Sequence, residues 1–112
     1  MISPKPVAFR GSALDDLRAF ATPARRRVGY QLDQVQHAKE PDNWKPMPTL
    51  GQGVREIRIR DIAGAFRVAY VAKFADAVYL LHCFQKKTLK TSKTDLDLAA
   101  SRYRDLLKEI GR

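Results

Sequence analysis

The residues of this chain best suited to chemistry are cations on strand-like segments. Arg55, Arg58, Arg60 and Arg67 fall close together, and only Glu56 and Asp61 oppose them there. Alternation from Val54 to Arg60 sets Ile57 and Ile59 on one face and Glu56, Arg58 and Arg60 on the other. Arg67 opens the next strand, where it can lie across from Arg58 and Arg60. Further on, the stretch from Gln85 to Lys93 holds Lys86, Lys87, Lys90 and Lys93 and no acid. Such groups suffice to cleave a phosphodiester through a 2′-hydroxyl. That reaction needs a base, charge stabilisation on the phosphorane and a proton for the leaving 5′-oxygen. Arginine clamps a phosphate bidentately. Lysine serves as acid or base once neighbouring cations or burial depress its pKa. The plainer reading of each cation is a solvated charge on an exposed strand face.

Other chemistry has little to stand on. His37 and His82 lie far apart with no helical pairing, so no metal site is expected. The acids are scattered, which argues against a two-metal nuclease. There is no glycine-rich phosphate loop, HExxH, cysteine pair or serine elbow, and nothing calls for a cofactor. Cys83 is the one cysteine, read as a small apolar strand residue. His82 shares the parity of Val78 and Leu80 and so is expected on an apolar face, as a core or strand-end histidine or as a catalytic one. Phe84, on that same face, reads as core or as a platform for a stacked base. Arg25, Arg26 and Arg27 read as a solvated helix face or a partner-contacting patch.

These residues need elements to hold them. Lys5 to Arg10 reads as a first strand ended by Gly11. Ser12 with Asp15 resembles a capping box ahead of a short helix carrying Leu14, Leu17 and Phe20. Thr22-Pro23 opens a second helix, Thr as N-cap and Pro in its first turn, running through Val28, Leu32 and Val35 to about Ala38. The stretch from Glu40 to Gly53 carries Pro41, Pro46 and Pro48 and reads as a loop, with Trp44 anchoring it to the core or stacking on a base. Three strands follow, Val54 to Arg60, Phe66 to Phe74 and Val78 to Phe84, joined by short turns into an antiparallel meander. Ser92 or Thr94 caps a last helix with Leu96, Ala99, Tyr103, Leu106 and Ile110 on one side and Gly111 at its end. The expected fold class is α+β, a single domain over residues 1–112. It has an antiparallel sheet in the order β-α-α-β-β-β-α, a helical hairpin on one side and a C-terminal helix.

Charge narrows the partner. The chain carries 21 lysines and arginines against 12 aspartates and glutamates, a formal net charge of +9. That excess favours a polyanion, nucleic acid before an acidic protein. No membrane-length apolar stretch and no signal-peptide core are visible, so the chain is expected in the cytoplasm and off the membrane.

At this point the residues become recognisable. Glu56-Ile-Arg-Ile-Arg60, Gly64-Ala-Phe-Arg-Val-Ala-Tyr70 and Val78-Tyr-Leu-Leu-His-Cys-Phe-Gln-Lys-Lys-Thr88 resemble the signature of phage-derived RelE/HigB-like toxins. The resemblance covers essentially the whole chain and is most specific at His82-Cys-Phe-Gln-Lys-Lys-Thr88. It implies a RelE-like fold and the toxin of a type II toxin–antitoxin pair. Such toxins cut messenger RNA on the ribosome without metal, through the 2′-hydroxyl, and a helix-turn-helix, HigA-like antitoxin neutralises them. By the same resemblance Arg67 corresponds to the phosphate-binding arginine. Arg58 and Arg60 correspond to basic positions on the strand before it. Lys86 and Lys87 stand where relatives place the cation that protonates the leaving group, and His82 stands near an active-site histidine. Phe84, Lys90 and Lys93 are expected to contact RNA. No tyrosine follows Lys87 before Tyr103, so the base stays open among His82, a lysine and neither. The fold also hosts gyrase inhibitors that cut nothing, and a ParE-like inhibitor or a nucleic-acid-binding prophage remnant is the alternative.

Overall fold

The strand faces decide everything about this site, and the sheet that sets them is mixed. A computed structural model describes residues 3–111. Residues 1, 2 and 112 of the expected domain lie outside it. The chain runs β1 (Val7–Phe9), α1 (Ala13–Arg18), α2 (Thr22–Gln36), β2 (Trp44–Pro46), β3 (Val54–Asp61), β4 (Gly64–Val71), β5 (Val78–Lys86) and α3 (Lys93–Glu109). The strands form one five-stranded sheet in the order β1-β5-β4-β3-β2. The meander β3-β4-β5 is antiparallel as expected. The purely antiparallel sheet needs correction, because β1 lies parallel to β5, Val7 opposite Val78 and Phe9 opposite Leu80.

The expected loop before the meander also contains a strand. Trp44–Pro46 pairs with β3, Trp44 opposite Ile57 and Pro46 opposite Arg55. Pro46 is tolerated because β2 is an edge strand, where a missing N–H on the outer side costs no ladder bond. Trp44 is held by the Arg55 guanidinium, 4.1 Å from its ring centroid, a cation–π contact in place of burial in the core.

Each face of the sheet carries its own apolar cluster. On one side Ala13, Leu17 and Phe20 of the α1 region and Ala24, Val28, Leu32 and Val35 of α2 pack on Ile57, Ile59, Phe66, Val68, Tyr70, Val78, Leu80 and Cys83. On the other side Ala99, Tyr103 and Leu106 of α3 pack on Val54, Ala69, Val71, Tyr79 and Leu81. The expected helices are therefore present, two on one face and one on the other. Their caps differ from the expected ones. Ser12 bonds the Asp16 carboxylate at 2.8 Å and makes no side-chain bond to backbone. Ala21, with Thr22 already helical, precedes α2. At α3 Ser92 does cap, accepting from the Asp95 N–H at 3.1 Å.

One irregularity governs the site. Ala69 lies opposite His82, but Tyr70 lies opposite Leu80, so Leu81 is an extra residue, a β-bulge in β5. Every side chain after it is turned to the face opposite the one that simple alternation assigns.

A cationic groove on the α3 face of the sheet

The bulge corrects the placement of His82. It leaves the α1–α2 face shared by Val78 and Leu80 and joins the α3 face, taking Phe84 and Lys86 with it. Facing partners in an antiparallel ladder point the same way. The register therefore sets Arg58 opposite Arg67, Arg67 opposite Phe84, Arg60 opposite Ala65 and Ala65 opposite Lys86 on that face. Arg55 points the other way, beside Tyr70, and reaches Glu40 at 3.9 Å.

Arg67 is the centre of this arrangement and only 6% exposed. Its Nε lies 3.5 Å from a Glu56 carboxylate oxygen, and its Nη1 donates to the Phe66 carbonyl at 3.1 Å. Burial pushes the guanidinium below its usual range. Arg58 pushes the same way, Glu56 opposes, and Arg60 adds to the fall. Arginine nonetheless stays charged near neutrality, so the face holds a buried, fixed positive charge. Arg58 stands directly across, and its Nε is buried with no hydrogen-bond partner. Like charges set opposite one another on a ladder are destabilising, and an unpartnered buried donor costs about 1–3 kcal/mol. An anion bound there relieves both terms.

Arg60, Ala65, Arg67, Lys86, Lys87, Thr88 and Leu89 line a cavity of about 480 Å³ whose charged groups are all cations. A second cavity, of about 470 Å³, adjoins it through Lys87. Its walls include Phe20, Phe66, His82, Phe84, Asp16 and Asp95. Phe84 stacks on His82, ring centroids 5.1 Å apart and planes 20° apart. Lys90 and Lys93 are exposed and line neither cavity. A larger cavity, about 720 Å³, lies at the opposite end of the sheet among Leu50, Phe74, Tyr103 and Leu107. That cavity carries two cations, Lys73 and Arg104, against four in the groove of Arg60, Arg67, Lys86 and Lys87.

Two residues escaped the sequence reading. Glu56 was visible only as a charge opposing the cluster. In the fold it is 5% exposed and holds Arg67. Its parity with Arg58 and Arg60 was the available signal. Arg102, on α3, donates through Nη1 to the Leu81 carbonyl at 2.9 Å and reaches the Nδ1 of His82 at 3.2 Å. On the other ring nitrogen, Nε2 of His82 lies 2.7 Å from Asp95 Oδ1. Both nitrogens of His82 are thus engaged within the protein. Cys83 faces the α1–α2 core, where burial pushes its thiol up to about 12, so it offers no thiolate nucleophile. Among the described residues no cluster of His, Cys, Asp and Glu could hold a metal ion, and no helix is long and apolar enough to cross a membrane.

Comparison with known proteins agrees with a phage lineage. A family model described as phage derived protein Gp49-like (DUF891) matches residues 15–104, which include every strand of the meander and most of α3. No curated protein matches the chain.

Proposed function

The chain belongs to the phage-derived Gp49-like family, and from that premise we propose that it is the toxin of a type II toxin–antitoxin pair, a RelE/HigB-like ribonuclease that cuts messenger RNA on the ribosome. The observation that carries this reading is the groove of Arg60, Arg67, Lys86 and Lys87 with Arg58 behind it. It fits a backbone phosphate, and it supports cleavage by the 2′-hydroxyl route. Arg67 and Arg60 bind the phosphate oxygens and stabilise the phosphorane as charge builds. Lys86 protonates the departing 5′-oxygen. Glu56 is the one carboxylate that the strands bring to this face. It orients Arg67 through their ion pair, and it is the acceptor we assign to the 2′-hydroxyl proton. Phe84, beside Arg67, offers its ring to a base. His82 has no free nitrogen for proton transfer. The products are a 2′,3′-cyclic phosphate and a 5′-hydroxyl.

The setting is the cytoplasm, and the neutralising partner is a HigA-like, helix-turn-helix antitoxin. Acidic side chains of that antitoxin meet the groove. The test is expression with and without the neighbouring reading frame, with transcript 5′ ends mapped for the wild type, Arg67→Ala and Lys86→Ala. Growth arrest with new cuts inside translated frames, abolished by both substitutions in variants that still melt cooperatively, is the expected result. Arrest without new 5′ ends would overturn the nuclease reading and favour a topoisomerase inhibitor. No arrest would leave a simple nucleic-acid binder.

A further inference from the structure

The network around His82 fixes more than a strand end. His82 is 4% exposed, and its two ring nitrogens face two residues of α3, Asp95 at Nε2 and Arg102 at Nδ1. A guanidinium can only donate, so Nδ1 must accept and carries no proton. The proton of the neutral ring therefore sits on Nε2, where it donates to the Asp95 carboxylate. The assignment follows from donor chemistry.

The surroundings are shaped for this arrangement. Arg102 is held from three sides: by the Leu81 carbonyl at the bulge, by Nδ1 of His82, and by the Ser12 hydroxyl, to which Nη2 donates at 3.0 Å. Gly11, at φ 53°, leaves the slot open, since a Cβ there would stand 2.5 Å from the Arg102 Nε. Asp95 is fixed in turn, its Oδ2 accepting from the Ser92 hydroxyl at 2.7 Å. One face of the imidazole stacks on Phe84, which lies opposite Arg67.

We infer that Arg102 and Asp95 are positioning residues. They clamp His82 as the neutral Nε2–H imidazole and through it hold the Phe84 ring as the floor on which a base rests beside the phosphate groove. The platform's use for RNA rests on the nuclease reading above; the tautomer does not.

The test begins on the wild-type chain, by ¹⁵N NMR of the histidine rings at neutral pH. His82 is expected as a single tautomer, Nε2 protonated and Nδ1 bare. An Nδ1–H tautomer or an imidazolium at that pH overturns the clamp, whatever any variant does. Arg102→Met is expected to release a mixture of tautomers and to raise KM for ribosome-bound message several-fold with a smaller change in kcat, and Arg102→Lys, which can still donate to Nδ1, to restore both. An unchanged tautomer in Arg102→Met, or a fall in kcat with KM constant, would also overturn the assignment. If the wild type cuts no RNA, the nuclease reading and the platform's use fall together, while the NMR result still decides the clamp.

Discussion

Arg58 and Arg67 oppose one another across two strands, one with an orphaned Nε and the other nearly buried. Stability alone does not favour that arrangement, because an apolar pair in those positions would remove a repulsion and an unsatisfied donor. Arg58→Met is therefore expected to stabilise the fold by about 1 kcal/mol while weakening RNA binding, read by denaturant melts and by titration of a short RNA. A variant that loses stability would show that the arginine earns its place structurally. Cys83 tests the core beneath. Burial raises its thiol from an ordinary value near 9 to about 12, so the folded chain prefers the neutral thiol. The sign follows: the contribution is whole below the unfolded value, and it is lost as pH climbs through the window between the two values, by about 1.4 kcal/mol for each pH unit. Cys83→Ala should lack this loss. Its stability deficit against the wild type should shrink between about pH 9.5 and 10.5 by roughly that amount.

At the scale of elements, the sequence carried the meander and the last helix clearly, because their apolar residues recur at strand and helix periods. It failed at three places for physical reasons. The bulge at Leu81 has no signature of residue type, since leucine is an ordinary strand residue, and one extra residue reverses the parity of His82, Phe84 and Lys86. The β2 strand hides behind its prolines, which are compatible with an edge but read as a loop. The parallel pairing of β1 with β5 joins segments far apart in the chain, and local patterning carries no information about that contact. The arginines and Lys86 of the site were legible as a cluster because the turn between β3 and β4 is short, whereas Arg102 reaches the site from a helix whose sequence shows only an amphipathic stripe. The end of α2 offers a clean test of local backbone chemistry. Ala38 follows the helix at φ 63°, a left-handed conformation that strains an L-residue with a Cβ. Ala38→Gly is expected to stabilise the chain by about 0.5–1 kcal/mol, after subtracting glycine's larger unfolded-state entropy. Calorimetry checks it, and a lowered melting temperature would mean that the strain is already relieved by the surroundings.

For the whole molecule, the question is whether the net charge of +9 acts as a diffuse field or through the groove. A diffuse field steers RNA toward the protein but is screened beyond about 10 Å at 0.1 M salt. A groove that neutralises phosphates releases counterions instead, and each phosphate adds about −0.7 to the slope of log affinity against log salt for a single strand. Arg58, Arg60, Arg67, Lys86 and Lys87 share one face of the sheet or the groove that opens on it. Were each of them to take one phosphate, the slope would be about −3.5, and affinity would fall roughly 10²-fold between about 50 and 200 mM salt. The measurement uses a short single-stranded RNA methylated at its 2′-oxygens, so that binding is read without cleavage. Replacing Lys86 and Lys87 together by alanine should then make the slope shallower by about 1.4, since two phosphate contacts are lost. Replacing Arg25 and Arg26, exposed on α2, removes as much net charge but none of the groove. It should lower affinity slightly and leave the slope nearly unchanged. If instead both double variants flatten the slope equally, the charge works as a field spread over the surface, and the groove holds no phosphate of its own.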